Sequence, residues 1–170
     1  VIVAADLLVA QNIAFGLIAA VIVGAALRVV TTKNVVHAAL YLVLVLAGVG
    51  GLYFILGAAF VGTTQILVYI GAIIVLFLFG IMLTRAPIGD DQELDNEQRW
   101  LGGLIAVLLL AVLGYSLLDR FEDSRLPLET LSSTAQLSDA LFSTYLVPFE
   151  VVSVLLLAAL VGAIVVARRD

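Results

Sequence analysis

Residues Gln65–Leu83, QILVYIGAIIVLFLFGIML, run for nineteen positions without a charge. At 1.5 Å per residue a helix of that length measures about 28 Å, close to the thickness of a bilayer core. The run is too long and too evenly apolar for a strand, so it predicts a transmembrane helix. Its polar groups gather at one end: Thr63, Thr64, Gln65 and Tyr69. Gln65, Tyr69 and Ala72 follow at intervals of four and three, which puts them on one face of an α-helix. Gly71, Ala72 and Gly80 leave room for a neighbouring backbone to come close.

The rest of the chain has the same character. Hydrophobic residues make up 64% and charged ones 12%, with a mean hydropathy of +1.23. A soluble domain carries about 25% charged residues, so this composition belongs in a membrane. Five apolar stretches, at about 13–29, 35–56, 65–83, 101–118 and 146–166, predict an all-α integral membrane protein with five transmembrane helices. Its 170 residues read as a single membrane domain, 1–170, with no room for a separate soluble catalytic domain. A net charge of −5 argues against nucleic acid as a partner, since phosphate contacts need clustered Lys and Arg. Cysteine is absent, which excludes disulfides and Cys-ligated zinc or iron–sulfur centres. The lone His37 cannot build a His-rich metal site. No metal-binding or cofactor-binding residue is therefore assigned. The opening VIVAADLLVA lacks the positive region of a cleavable signal peptide.

In the first span Gly16, Ala20 and Gly24 recur every fourth residue, a small-residue stripe suited to close helix packing. Asn34 is positioned to cap the second span, and His37 one turn later reads as an interfacial histidine. A proton-relay role for His37 lacks partners, because only Tyr41 titrates within a helical turn of it. The second span carries Ala47-Gly48-Val49-Gly50-Gly51, which permits either close packing or a local distortion. The short GAAFVG connection predicts that spans two and three are antiparallel neighbours. Beyond span three, Asp90, Asp91, Glu93, Asp95 and Glu97 read as a solvated loop, with docking to a basic partner as the alternative. Trp100 and Tyr115 bracket span four as interfacial aromatics. The polar stretch 119–144 contains Leu137 and Leu141, which with Tyr145 predict a short surface helix leading into span five.

Arg28, Lys33, Arg85, Arg99, Arg168 and Arg169 fall on one side of this arrangement, and only Arg120 and Arg125 on the other. The excess predicts a cytoplasmic C-terminus and an N-terminus outside. Chemistry inside the spans is sparse. Glu150, in Pro148-Phe149-Glu150, is the single intramembrane carboxylate, the usual mark of an ion path. A position near a helix start accounts for it structurally as well, through the helix dipole. Gln65 and Glu150 are thus the candidate polar or proton-path residues. Nucleophile–base pairs, phosphate loops and metal-ligand spacings are missing, so no catalytic residue is assigned and the chain reads as no enzyme by itself.

One stretch carries a family likeness. Gln65-Ile-Leu-Val-Tyr69-Ile-Gly71-Ala-Ile-Ile-Val-Leu-Phe77-Leu-Phe79 resembles the third-helix signature of subunit J of bacterial NADH:quinone oxidoreductase, respiratory complex I, whose mitochondrial counterpart is ND subunit six. Asn34-Val-Val-His37-Ala38-Ala39-Leu40, the segment from Leu141 to Glu150, and that from Val161 to Arg169 agree with it. The likeness covers nearly the whole chain but not the two polar loops. It implies a cofactor-free core subunit of the membrane arm in the bacterial plasma membrane, in a complex that uses NADH, FMN, iron–sulfur clusters and a quinone. It also implies partners: a K-like three-helix subunit, A- and H-like quinone-site subunits, antiporter-like subunits, and membrane lipid.

The third helix of that family can carry a π-bulge, here near Tyr69–Gly71, whose rotation is thought to make or break a water path for protons. On this implication Tyr69, Gly71, Ala72 and Val75 form a conformational gate, with Gly71 the yielding point and Tyr69 the group that moves. The alternatives are the related subunit of a multisubunit cation/proton antiporter or membrane-bound hydrogenase, or a stand-alone small transporter. Five spans cannot divide into equal inverted repeats, which counts against the last.

Overall fold

The computed structural model describes residues 2–84, 98–121 and 133–168. Among these every regular element is helical: α1 (Ile2–Thr31), α2 (Val35–Ile55), α3 (Ala59–Thr64), a π-helical segment (Gln65–Ile74), α4 (Val75–Leu83), α5 (Arg99–Phe121), α6 (Thr134–Phe142) and α7 (Leu146–Ala167). α3, the π segment and α4 follow one another without a break. Among the described residues five stretches are long and apolar enough to cross a membrane: Val9–Thr31, Val35–Ile55, Ala59–Leu83, Trp100–Phe121 and Leu146–Ala167. In lipid the backbone must satisfy its own hydrogen bonds, which is why apolar runs of this length adopt helices. The acidic run from Asp90 to Glu97, and Arg85, Arg125 and Arg169 of the charge asymmetry, lie outside the described residues.

The chain divides into two compact units, residues 1–130 and 131–170. In the first, α1 packs along α2. Ala25 and Ala39 are the most deeply buried residues of that contact, at 5% and 2% exposure. The close approach is made by α2: a Cβ at Gly48 would overlap Ile22, and one at Gly51 would stand 3.4 Å from Ile18. Branched side chains of α1 therefore lie over bare backbone of α2, and α2 stays helical through its glycines. The alternative of a distortion there is not what the chain adopts. The Gly16–Ala20–Gly24 stripe does not serve this packing. A Cβ at Gly16 or Gly24 meets nothing within 4 Å, and all three residues are exposed. Glycine on one partner is enough for backbones to approach, and α2 supplies it.

The helix ends have local causes. α1 starts well before residue 13, because Ile2–Asn12 contains neither Gly nor Pro to stop it. That extension brings Gln11 alongside the end of α2, where its amide donates to the carbonyl of Ile55 at 2.6 Å, one of the last-turn acceptors of that helix. Asn34 caps α2 as its sequence position indicates, its Oδ1 accepting from the N–H groups of Val36 and His37 at 2.9 and 3.2 Å. Arg28 sits over the Tyr41 ring, 5.4 Å from its centroid, in a cation–π pair that joins α1 to α2 near this end.

After α2, Gly57 takes φ 77°, with Gly57 N–H bonding Phe54 O and Ala58 N–H bonding Tyr53 O. This is a Schellman close, and only glycine reaches that φ without strain. The turn is shorter than GAAFVG implied, since Ala59–Gly62 is already helix, and the third span begins six residues before Gln65. From Trp100 to Phe121 the described residues of α5 are exposed except Gly114, which is half-buried.

In the second unit a capping box at Ser133 starts α6, with Ser133 and Gln136 exchanging side chain-to-backbone bonds. Leu137, Ala140 and Leu141 form its half-buried face. Tyr145 does not belong to that helix. It precedes Leu146 as the residue from which α7 starts. The Phe142 and Phe149 rings meet edge to face at 5.3 Å and tie α6 to α7.

Gly48→Leu should therefore separate α1 from α2 and cost about 1–3 kcal/mol through overpacking, while Gly24→Ala should be neutral within this chain. The thermal midpoint of the purified protein in mild detergent measures both.

Candidate functional site: the π-helical turn of the third span

A π-helix pairs each N–H with the carbonyl five residues back instead of four, and it occurs mostly as a single-turn bulge. Here it extends over ten residues, Gln65–Ile74, and so is longer than a one-residue bulge at Tyr69–Gly71. Its start is marked by weakened α-helical bonding. The hydroxyl of Thr63 donates to Ala59 O at 2.9 Å, and that of Thr64 to Phe60 O and Val61 O at 3.1 and 2.9 Å. Such back-bonding competes with backbone donors for the same carbonyls and bends helices. The Gln65 N–H is in turn shared between Gly62 O and Val61 O. At the far end the Val75 N–H closes on Ala72 O, and the α-helix resumes.

The segment has an inner and an outer side. Inward, Gly62 is buried against α2, and a Cβ there would stand 3.2 Å from Gly50 O and 3.1 Å from the Phe54 ring. A Cβ on Gly50 would meet Ile66 Cγ1 at 3.2 Å and Gln65 Cγ at 3.6 Å. Ile70 is half-buried and Ile74 buried, at 4% exposure. Outward, Tyr69 is 47% and Val75 45% exposed, and Gly71, Ala72 and Leu76 are exposed as well. A Cβ at Gly71 would touch only its own helix, 3.7 Å from Ile66 O.

Gln65, Tyr69 and Ala72 differ in exposure, and π geometry takes Ala72 off the face that α-helical spacing assigns it with Gln65. Gln65 is half-buried beside Gly50, whereas Tyr69 and Ala72 are exposed. Each π residue turns through a smaller angle than the 100° of an α-helix, so a seven-residue interval no longer returns to the same side. Nor, among the described residues, does another helix's backbone use the openings at Gly71 or Gly80. Glu150 lies in the second unit, exposed early in α7 on a face shared with Val147, Val151 and Val154. His37 is exposed near the start of α2.

Chemically, this assembly has little to react with. The described residues contain no group of three or more His, Cys, Asp or Glu able to hold a metal. The tyrosine hydroxyl is the outward-facing polar group of the π segment, among apolar side chains. Sequence reasoning missed Gly50, Gly62 and Ile74 as parts of the site. The pattern Gly50-x11-Gly62 across a predicted tight turn was the signal that could have found the first two.

A protein-family model described as NADH-ubiquinone/plastoquinone oxidoreductase chain 6 matches residues 25–166. Among curated proteins, F(420)H(2) dehydrogenase subunit J of Methanosarcina mazei is 41% identical over 94% of this chain and 92% of its own length. NAD(P)H-quinone oxidoreductase chain 6 of Synechocystis is 38% identical, over 94% and 82%. NADH-quinone oxidoreductase subunit J of Escherichia coli strain K12 is 36% identical, over 94% and 88%.

Because Ile74 is the buried anchor of the π segment, Ile74→Ala should destabilise the α2–third-span contact by about 2 kcal/mol through lost packing. A drop in the thermal midpoint of the detergent-solubilised protein, measured beside Leu76→Ala as an exposed reference, checks this.

Proposed function

The chain belongs to the NADH-ubiquinone/plastoquinone oxidoreductase chain 6 family, membrane subunits of multisubunit oxidoreductases of the complex I type, and on that premise we propose that its third span gates a water path that couples quinone reduction to proton translocation. It is a multi-pass protein of the bacterial inner membrane. In this reading residues 1–170 act as one membrane unit, with the N-terminus outside and the C-terminus cytoplasmic. The chain itself is cofactor-free and non-catalytic. NADH, FMN, iron–sulfur clusters and quinone are bound by other subunits. Its neighbours are a K-like three-helix subunit, A- and H-like quinone-site subunits and antiporter-like subunits.

The observation that carries the gate is the π-helical segment itself, with Tyr69 turned outward from it. Converting a π turn to an α turn changes the register of everything beyond it by one residue, about 100°. Before the change Tyr69, Gly71 and Ala72 face a neighbouring subunit. Afterwards the apolar Ile73, Val75 and Leu76 do. A hydroxyl among small residues admits water and a wall of branched aliphatics excludes it, so a swivel opens or closes a path without this chain titrating anything. Gly71 is the turn that yields, since nothing but its own helix stands beside it. Gln65 and Glu150 add polar groups near the ends of spans three and five.

A second reading differs only in the electron donor. The relative that is 41% identical is named for F(420)H(2), and the same gate would serve that donor equally. Purifying the complex through this chain and assaying both donors separates the two. Isolation of the chain alone with transport activity would favour a stand-alone carrier.

Gly71→Leu removes the conformational freedom of glycine at the yielding turn, and the roughly 1 kcal/mol by which Gly disfavours an α-helix shifts the π–α balance about fivefold. The assembled complex should keep electron transfer in uncoupled membranes and lose most of its proton translocation per electron. Tyr69→Phe should lower translocation by about five- to tenfold, the worth of one hydrogen bond. Wild-type proton-to-electron ratios in both variants would make the reading wrong.

A further inference from the structure

The third span is not held evenly along its length. Its first two turns lie with bare backbone against bare backbone: Gly62 is buried, and a Cβ on it would come within 3.2 Å of Gly50 O, a main-chain atom that cannot swing aside. The Phe54 ring closes the same spot, 3.1 Å from that Cβ. One turn further on Ile66 rests on Gly50, which is itself buried. From the other side α2 is pinned to α1, because Gly48 lies under Ile22 and Gly51 under Ile18. The upstream end of the span therefore sits on a three-helix stack belonging to this chain alone. Downstream of Ile66 the inner side is held by side chains, which can change rotamer, and no longer by backbone: Ile70 is half-buried and Ile74 buried. Tyr69, Gly71, Ala72 and Val75 are exposed, and Gly80 has nothing within 4 Å of a Cβ.

We propose that the Gly62–Gly50 backbone contact is the fixed bearing of the third span, so that α3 stays seated on α2 while the turn between π and α geometry carries only the residues beyond Ile66. The inference rests on the gating role above and adds to it which end is held, and by what. Thr63 and Thr64 lie directly after the bearing, where their hydroxyls compete for the carbonyls of Ala59, Phe60 and Val61 and loosen the α-ladder. A held end next to a loosened ladder confines the change of register to one side. Gly50 and Gly62 are positioning residues. They carry no polar side chain and act by fixing the axis about which Tyr69 moves.

The test uses cryo-EM maps of the whole assembled complex, resting and under turnover, superposed on α2. The bearing predicts that Gly62 keeps its contact with Gly50 in both maps while the side chains from Tyr69 onward change direction. If Gly62 slides or turns away from Gly50 together with them, the bearing is wrong and the gate survives. If nothing from Gly62 to Leu83 moves, the gate itself fails and the bearing with it. Gly62→Ala supplies a functional reading alongside: in complexes that assemble, protons translocated per electron should fall at least several-fold, with donor-to-quinone electron transfer in uncoupled membranes retained. Gly80→Ala, which meets open space, should match wild type. An unchanged ratio in assembled Gly62→Ala overturns the proposal.

Discussion

Gly50 and Gly62 bring the main chains of α2 and the third span into direct contact, and the organisation of residues 2–84 depends on that closeness. In lipid the tails are as apolar as leucine, so burying aliphatic side chains does not by itself draw helices together. What does is contact at short range, which side chains of ordinary size would prevent. α2 solves this by carrying glycine on both of its working sides, at 48 and 51 toward α1 and at 50 toward the third span. Ile18, Ile22 and Ile66 then lie on backbone, where they gain dispersion contacts.

The same closeness explains why a costly geometry is tolerated next door. A π-helix is rare, and ten residues of it are long for one. It is preceded by an α-helical turn seated on α2 by backbone contact and ends at Ile74, whose side chain is buried, so its inner side is packed at both ends. Between them the outer side is free to carry residues that packing does not dictate. That is where Tyr69 and Gly71 are found.

Much of this architecture was legible in the sequence. The five apolar runs, the cap at Asn34, the short connection after α2 and the antiparallel pairing across it follow from residue type and spacing alone, since each has a local cause. Other features were not. The Gly16–Ala20–Gly24 stripe looked as good a packing surface as Gly48–Gly51, yet only the latter is used within this chain, because a small-residue stripe does not specify its partner. The face shared by Gln65, Tyr69 and Ala72 was inferred from a 3.6-residue period, and the π segment breaks that period. Tyr145 looked like the third residue of a surface-helix stripe and instead starts α7.

Hydrophobicity and its interruptions, taken by themselves, determined that the described residues form five helices long and apolar enough to cross a membrane, because a backbone in hydrocarbon must satisfy its own polar groups. They determined as well that the spans offer little for acid–base or metal chemistry, since the residue types are not there. Only the tertiary structure decided which glycines meet which neighbour and where the third helix leaves α-helical register. Those choices depend on distances of a few ångströms between segments that are remote in sequence, and no one-dimensional period encodes them.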